Sequence, residues 1–247
     1  MKIIGLIPTR LNSTRLPLKS LLPINGIPMI IHVYKRAKLA KKLDDLIICC
    51  DDKKIISVAK QYNAKAILTS KHHTNGTERI AEVCSKLKTK YDIIVDIQGD
   101  EPLISPYHID QVVDYHLKHQ NSDIILPSLK IKPVNSTNIV KIVKDKFENV
   151  LYLSRAKIPY EFKSNIKFLY KHLSIISFKT EALKRYSSHK KTYLEKIEDI
   201  ELLRALEIGL KMKSINLKGD SFSVDVLEDY QKATEYMKND KFFKLYK

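Results

Sequence analysis

Apolar segments and helical patterns alternate along the N-terminal half of the chain. The apolar segments are short and end in polar loops, which predicts buried strands over Ile3–Pro8, Leu46–Cys50, Ala66–Thr69 and Tyr91–Ile97. Between these segments, apolar residues recur with helical spacing, which predicts helices that begin at Pro28, Lys53, Glu78 and Ser105-Pro106. Asp51-Asp52 is suited to cap the second of these helices. Buried strands that alternate with helices predict a parallel sheet covered on both faces.

The second half of the chain has a less regular pattern, which predicts a smaller mixed α+β region. Its predicted strands are Ile139–Val143, Val150–Tyr152, His172–Phe178, Ser214–Leu217 and Ser221–Val224. A long apolar stripe predicts one helix over Glu195–Lys211, and a last helix is expected from about Asp225. Because the sequence contains no internal repeat and no linker, we expect a single domain over 1–247, with halves of about 1–128 and 129–247.

Composition excludes some classes of protein and leaves one alternative open. Hydrophobic residues make up 44% of the chain, enough for a full core, and the apolar runs are too short for a membrane span. The three cysteines have no metal-binding spacing, which favours a reducing cytoplasm. The net charge of +16 is compatible either with a nucleic-acid-binding protein or with an enzyme of anionic substrates. The lysines are scattered and form no basic run, so charge alone does not decide between these readings.

The loop that follows the first strand, Thr9–Lys19, contains three cations within ten residues. Ligands of parallel α/β sheets bind beyond the strand ends, where guanidinium groups and loop amides can neutralise a triphosphate. Neither the P-loop motif nor a dinucleotide-binding glycine motif is present. A solvated basic loop is the alternative, but its position favours phosphate binding by Arg10, Arg15 and Lys19.

Carboxylates follow two other predicted strands. The segment Asp96–Pro102 closes an apolar strand, and carboxylates with a glycine beside them suit a nucleotide-bound Mg²⁺. Asp225 follows the predicted strand Ser221–Val224, and with Asp100 it would form a two-carboxylate metal site. Simple alternatives are a turn that caps the next helix for the first segment, and a helix cap for Asp225. A third polar segment, Asn75–Arg79, contains Thr77, which is suited to cap the helix from Glu78.

Six segments in this order resemble the 3-deoxy-manno-octulosonate cytidylyltransferases, or CMP-Kdo synthetases, nearly from end to end. The segments are Ile-Pro-x-Arg-x-x-Ser-Thr-Arg-Leu-Pro at 7–17, Asn-Gly-x-Pro-Met-Ile at 25–30, Gly-Thr-Glu-Arg at 76–79, Gln-Gly-Asp-Glu-Pro at 98–102, Ser-Arg-Ala at 154–156 and Val-Asp at 224–225. The resemblance implies a Rossmann-like nucleotide-diphospho-sugar transferase fold, with a mostly parallel central sheet and a smaller mixed α+β dimerisation region. It also implies a homodimer that uses CTP, Mg²⁺ and a 3-deoxy-ulosonic acid to make CMP-Kdo for lipopolysaccharide or capsule biosynthesis.

The resemblance also implies roles for individual residues. Arg15, Lys19, Asp100 and Asp225 would be catalytic, with Asp100 and Asp225 as the metal ligands. The nucleotide would be bound by Pro8, Arg10, Ser13, Thr77, Arg79 and Gln98, and the sugar acid by Arg155, His172 and Glu198. Arg155 or the neighbourhood of His172 would supply the cation for the sugar's carboxylate.

The sugar-binding half departs from the family pattern. A typical His-Leu-Gly-Ile-Tyr-Gly-Tyr is replaced by the sequence at 172–178, which has neither tyrosine, and a helical glutamine is replaced by Leu202. Losing these hydrogen-bonding groups is expected to alter discrimination between sugars. The alternatives are therefore an acceptor such as 8-amino-3,8-dideoxy-manno-octulosonate or another 3-deoxy-ulosonate. A basic nucleic-acid-binding protein would have no use for Asp100 and Asp225.

Overall fold

The structure is a computed structural model, and it describes residues 1–219 and 222–247. The strands are β1 (Ile3–Thr9), β2 (Pro23–Ile24), β3 (Ile27–Pro28), β4 (Asp45–Cys50), β5 (Ala66–Leu68), β6 (Ile93–Ile97), β7 (Ile124–Ile131), β8 (Lys141–Lys144), β9 (Val150–Ser154), β10 (Leu169–His172), β11 (Ile175–Lys179) and β12 (Met212–Leu217). The helices are α1 (Met29–Ala37), α2 (Lys53–Gln61), α3 (Gly76–Lys86), α4 (Pro106–Lys118), α5 (Thr180–Ser187), α6 (Tyr193–Glu198), α7 (Leu202–Glu207) and α8 (Leu227–Lys238). Short 3₁₀ turns cover Lys19–Leu21 and Phe243–Leu245.

The first of two compact units comprises residues 1–111 and 222–247. Its sheet has the strand order β5-β4-β1-β6, and every pairing is parallel. Almost all side chains of β1, β4 and β6 are buried, as expected for strands covered on both faces. The predicted parallel sheet is confirmed here. The predicted cap of α2 is also confirmed, because the Asp52 carboxylate accepts a hydrogen bond from the Lys54 N–H at 2.8 Å.

The C-terminal helix α8 belongs to this first unit, and its apolar side chains complete a small hydrophobic core there. Val224, which precedes α8, is fully buried with Met29, the first residue of α1. Ala233 and Met237 of α8 are buried in the same cluster, and Leu16 of the basic loop packs against it. Apolar packing therefore places the residue after Val224, Asp225, next to the basic loop.

The second unit comprises residues 112–219 and contains the mixed region. Strand β7 pairs antiparallel with β10 and β11 and parallel with β12, while β8 joins β10 to β9. The predicted mixed α+β character is confirmed. Strand β7 was not predicted, because Pro127 interrupts its apolar run and marked the end of the regular pattern. The predicted single domain with halves of about 1–128 and 129–247 stays a prediction, and the two compact units divide the chain elsewhere.

The prediction of one helix over Glu195–Lys211 is wrong. The segment forms two short helices, α6 and α7, and Asp199 between them has the left-handed φ of 50°. The break leaves backbone carbonyls at the end of α6, and the Arg155 guanidinium donates to those of Glu198 and Asp199. An arginine more than forty residues away in the chain therefore stabilises a break that the apolar stripe does not indicate.

Three smaller predictions also need correction. The predicted strand over 172–178 is broken between β10 and β11, where the Ile175 N–H donates to the Leu173 carbonyl in a tight turn. Helix α3 begins at Gly76 and is capped by Asn75 rather than Thr77, because the Asn75 side chain accepts from the Glu78 N–H at 2.8 Å. The residues 222–224 of the predicted strand Ser221–Val224 are not a strand, and Ser221 lies outside the described residues.

In the described parts of the chain, no helix is both long enough and apolar enough to span a membrane.

Candidate active site

A polar cleft of about 310 Å³ lies at the strand ends of the first unit. It is formed by the loops that follow β1 and β6, the start of α3 and the segment before α8. Nine of the predicted site residues line it: Pro8, Arg10, Ser13, Arg15, Lys19, Arg79, Gln98, Asp100 and Asp225. Strand ends are where parallel α/β sheets bind ligands, so the cleft is the candidate active site.

Two remote carboxylates meet in this cleft around one ammonium group. Lys19 Nζ lies 3.0 Å from Asp100 Oδ2 and 3.1 Å from Asp225 Oδ1. The Arg15 guanidinium lies 2.9 Å from the same oxygen of Asp225. Partial burial alone would raise the pKa of Asp225, but Lys19, Arg15 and the Ser223 hydroxyl lower it below the usual aspartate value. Asp100 and Asp225 are thus held together and compensated by cations from the basic loop.

Hydrogen bonds to the backbone hold the two segments that carry Asp100 and Asp225. The Val224 N–H donates to the Asp100 carbonyl at 2.9 Å, which joins the loop after β6 to the segment before α8. The Asp229 carboxylate accepts from the N–H groups of Asp225 and Val226 at 3.0 and 3.2 Å. Asp225 is therefore not the cap of α8; Asp229 binds the backbone around it instead. The sequence analysis missed Asp229, although an acidic residue in the first turn of a helix is the signal for this kind of bond.

Two glycines allow the walls of the cleft to approach closely. A Cβ atom on Gly99 would lie 2.6 Å from the Pro8 carbonyl oxygen, so only glycine fits between β1 and the loop after β6. A Cβ on Gly76 would lie 3.1 Å from Pro8 and 3.2 Å from the Gln98 amide. Both glycines line the cleft, and both stood in predicted motifs without being chosen as site residues.

Arg79 lines the cleft with an almost fully buried side chain. The Arg79 guanidinium donates to the Thr69 hydroxyl at 2.5 Å and to the Ser70 carbonyl at 3.1 Å, and it lies 3.7 Å from Asp51. Asp51 in turn accepts from the Leu11 N–H of the basic loop at 2.9 Å. Thr77 is fully buried. It is not among the described residues that line the cleft. Nucleotide binding by Arg79 and Thr77 remains a prediction, and the contacts seen for Arg79 join the loops on either side.

A second cluster holds the loop before α3. The His73 imidazole binds the Glu82 carboxylate, which also accepts from the Ser70 N–H at 2.9 Å and from Lys86. Burial alone would raise the pKa of Glu82, but the hydrogen bonds from Lys86, His73 and Ser70 lower it to about 2. His73 and the neighbouring Thr74 line the cleft, and the sequence analysis missed them because no motif marked them.

The donor set of the cleft fits Mg²⁺ bound together with a nucleotide. Among residues 1–219 and 222–247, no group of three or more His, Cys, Asp or Glu side chains forms a cage for a metal. Mg²⁺ is commonly held by one or two carboxylates together with substrate phosphates and waters, rather than by protein ligands alone. Asp100 and Asp225 already converge on a single cation in the form of the Lys19 ammonium.

The predicted sugar-binding residues lie in the second unit, where two of them bind each other. The Glu198 carboxylate accepts from the Ser154 hydroxyl at 2.6 Å and from the Arg155 N–H at 2.9 Å. The Arg155 guanidinium donates to the carbonyls of Thr137, Glu198 and Asp199 at 2.7 to 3.0 Å. Arg155 thus fixes the backbone around the break between α6 and α7.

His172, the third predicted sugar-binding residue, has a buried ring nitrogen and a lowered pKa. Burial, helped by Lys171, lowers the pKa of His172 to about 4, so the ring is neutral at pH 7. Its Nε2 is buried and has no hydrogen-bond partner within residues 1–219 and 222–247. Sugar binding by Arg155, His172 and Glu198 stays a prediction, and a cation from the neighbourhood of His172 would have to be another side chain.

Comparisons with known proteins identify the family to which the chain belongs. A family model described as cytidylyltransferase matches residues 4–215. A 3-deoxy-manno-octulosonate cytidylyltransferase of Fusobacterium nucleatum is 42% identical, over 96% of this chain and 98% of that protein. An 8-amino-3,8-dideoxy-manno-octulosonate cytidylyltransferase of Shewanella halifaxensis is 38% identical, over 93% and 96%.

A solved structure of a CMP:2-keto-3-deoxy-manno-octonic acid synthetase complexed with CTP is also similar. It matches with a TM-score of 0.92 at 29% identity, covering 96% of this chain and 99% of that one. This match confirms the predicted nucleotidyltransferase fold, and the curated relatives confirm the resemblance found in the sequence. The chain belongs to the cytidylyltransferase family, as one of its 3-deoxy-manno-octulosonate cytidylyltransferases.

Proposed function

We propose that this chain transfers the CMP group of CTP to a 3-deoxy-ulosonic acid, with Kdo as the acceptor, and releases diphosphate. The observation that supports the proposal most is the meeting of Lys19, Arg15, Asp100 and Asp225 in one cleft. The likeness to a CMP-Kdo synthetase complexed with CTP supports the choice of nucleotide and acceptor. The product would supply lipopolysaccharide or capsule biosynthesis.

The proposed roles follow from charge and position. Arg10, Arg15 and Lys19 neutralise the triphosphate and draw charge from the departing diphosphate. Asp100 and Asp225 would hold Mg²⁺, and the ion would supply neutralisation of phosphate charge during the transfer. The rigid backbone around Gly99 and Pro8 sets the direction of the nucleotide in the cleft. Such transfer needs alignment and charge neutralisation more than covalent help, so this set of groups suffices.

A second acceptor, 8-amino-3,8-dideoxy-manno-octulosonate, is supported by specific observations. Ile176 and Phe178 replace the tyrosines of the family pattern, and Leu202 replaces its glutamine. All three side chains are buried and none carries a hydrogen-bonding group. A relative named for the amino sugar is 38% identical to this chain. A site with fewer hydrogen-bonding groups would discriminate sugars differently from one that has them.

We also propose a homodimer formed through the second unit, working in the cytoplasm. Strand β9 is the last in the strand order, and its Leu151 side chain is 57% exposed. Phe162 and Ile197 of the same unit are 91% and 63% exposed. Exposed apolar side chains within one unit are typical of an interface between subunits. The molar mass in solution, from light scattering, tests the dimer.

The cytoplasmic location is supported by the three free cysteines, and fractionation of cells tests it.

The function is tested by measuring diphosphate release with CTP, Mg²⁺ and a panel of sugar acids. The expected result is release with Kdo, and with CTP in preference to UTP and ATP. Release with the 8-amino sugar but not with Kdo would move the acceptor within the class. Release with UTP or ATP and an ordinary sugar phosphate would refute the proposal.

A further inference from the structure

The proposed function requires the Lys19 ammonium to bind phosphate, whereas the structure shows it bound to two carboxylates. As a phosphate ligand Lys19 must face the triphosphate, yet its ammonium lies between Asp100 and Asp225, at 3.0 and 3.1 Å. These are the two carboxylates assigned to Mg²⁺. An ammonium and a metal ion cannot occupy the same position between two carboxylates, so one of them has to leave.

The charges around this position are balanced by the chain itself. Asp100 and Asp225 carry two negative charges, and Lys19 and Arg15 carry two positive charges at the same spot. The Lys19 side chain is only 15% exposed and each aspartate side chain about 30%, so water screens these charges incompletely. A divalent cation entering alone would create a net positive charge, whereas a cation entering with a triphosphate would not.

Hydrogen bonds hold the backbone of Lys19, whereas its ammonium is carried on a long side chain. The residue begins the 3₁₀ turn Lys19–Leu21, with its N–H bonded to the Leu16 carbonyl and its own carbonyl bonded to the Leu22 N–H, both at 3.2 Å. Leu18 before it has a left-handed φ of 54°, which turns the chain at this point. A lysine carries its charge on a flexible four-carbon stem, so the ammonium can change partners without movement of the turn.

We propose that Lys19 is the resident counter-ion of Asp100 and Asp225, and that it releases these carboxylates to Mg²⁺ when the triphosphate of CTP binds its ammonium. The inference rests on the proposed function, since it assigns a sequence of events to the same site. It makes Lys19 a positioning residue for the metal as well as a phosphate ligand. It also makes nucleotide and metal binding mutually dependent, because each removes the obstacle to the other.

The first test measures binding of Mn²⁺ alone, without nucleotide, by electron paramagnetic resonance of the free ion. Lys19→Met removes the charge and keeps the length of the side chain, so it is expected to bind Mn²⁺ at least about tenfold more tightly than the wild type, equivalent to 1.4 kcal/mol. Asp225→Asn is expected to abolish this binding. The control is Lys65→Met, because Lys65 forms a 2.9 Å ion pair with Asp45 away from the cleft. It should bind Mn²⁺ like the wild type.

Unchanged or weaker Mn²⁺ binding by Lys19→Met would overturn the proposal, provided circular dichroism shows the variant folded. Lys19→Gln serves as a second neutral variant if the first does not fold. The outcome is independent of the acceptor sugar, because no turnover is measured. A wild type that fails to release diphosphate would refute the proposed function but would leave this result interpretable.

A second test uses CTP binding in the presence of EDTA, measured by calorimetry in a double-mutant cycle. Asp225→Asn releases Lys19 from one of its carboxylates, so it should tighten metal-free CTP binding in the wild-type background. In the Lys19→Met background the same substitution should have a several-fold smaller effect, because there is no ammonium to release. An equal effect in both backgrounds would contradict the exchange of partners.

Discussion

Asp229 offers the sharpest test of how the chain positions its metal-binding carboxylate. Its side chain accepts hydrogen bonds from the N–H groups of Asp225 and Val226 at 3.0 and 3.2 Å, and it is not among the described residues that line the cleft. Asp229→Ala leaves both amides without this acceptor. Loss of such a capping carboxylate costs about 1–2 kcal/mol of stability.

The effect on catalysis follows from the same bonds. If they hold Asp225 in its productive position, a comparable free energy is lost from the transition state, and each 1.36 kcal/mol corresponds to a factor of about ten in rate. We therefore expect kcat for diphosphate release to fall about tenfold at saturating CTP, Mg²⁺ and Kdo. Circular dichroism on thermal unfolding would report the loss of stability separately.

A matched control exists in the second unit. The Asp145 carboxylate likewise accepts from two backbone N–H groups, those of Phe147 and Asn149, both at 2.8 Å. Asp145→Ala removes the same kind of bond far from the carboxylate pair in the sequence and should leave kcat unchanged. If Asp229→Ala loses stability but keeps the wild-type kcat, Asp225 is positioned without Asp229 and the reasoning is refuted.

Three further predictions concern stability. Burial lowers the pKa values of His32, His116 and His172 to about 4, so the folded chain takes up fewer protons than the unfolded chain between pH 6.5 and 4. The free energy of unfolding should therefore be highest above pH 6.5 and should fall towards pH 4, by up to about 3 kcal/mol per histidine. Urea unfolding measured across this range tests the prediction, and a free energy that does not change with pH would contradict it. Arg204→Met leaves the buried Glu195 carboxylate without its bidentate partner, whose nitrogen atoms lie at 2.7 Å. The free energy of unfolding, measured in urea, should fall by about 3–5 kcal/mol, and a fall below about 1 kcal/mol would refute the role of the pair. Arg155→Met removes three hydrogen bonds to carbonyls and should lower the free energy of unfolding by about 2 kcal/mol. An unchanged value would mean that these bonds do not stabilise the break between α6 and α7.

The sequence predicts the first unit well because its signals are local. Strands β1, β4 and β6 are largely apolar runs, and Asp52 caps α2 from the position next to it. The basic loop could be placed at a strand end for the same reason. Seven of the nine predicted site residues that line the cleft lie at or after the ends of β1 and β6, which pair in parallel.

What could not be predicted depends on contacts between distant residues. The break at Asp199 is stabilised by Arg155, while the apolar stripe from Ile197 to Leu210 runs through it without interruption. The approach of Asp225 to Asp100 rests on the bond from Val224 to the Asp100 carbonyl and on the burial of Val224. No pattern in either segment specifies the other, so the sequence could propose this pair but not place it.

The position of a metal ion relative to Lys19 would show whether the ammonium and the ion exchange places. A crystal of the protein with CTP and Mn²⁺, measured for the anomalous signal of manganese, would locate the ion. We predict a peak coordinated by Asp100, Asp225 and phosphate oxygens, with the Lys19 ammonium on the triphosphate instead of the carboxylates. A manganese peak elsewhere, or Lys19 still bound to both carboxylates beside a bound CTP, would contradict this prediction.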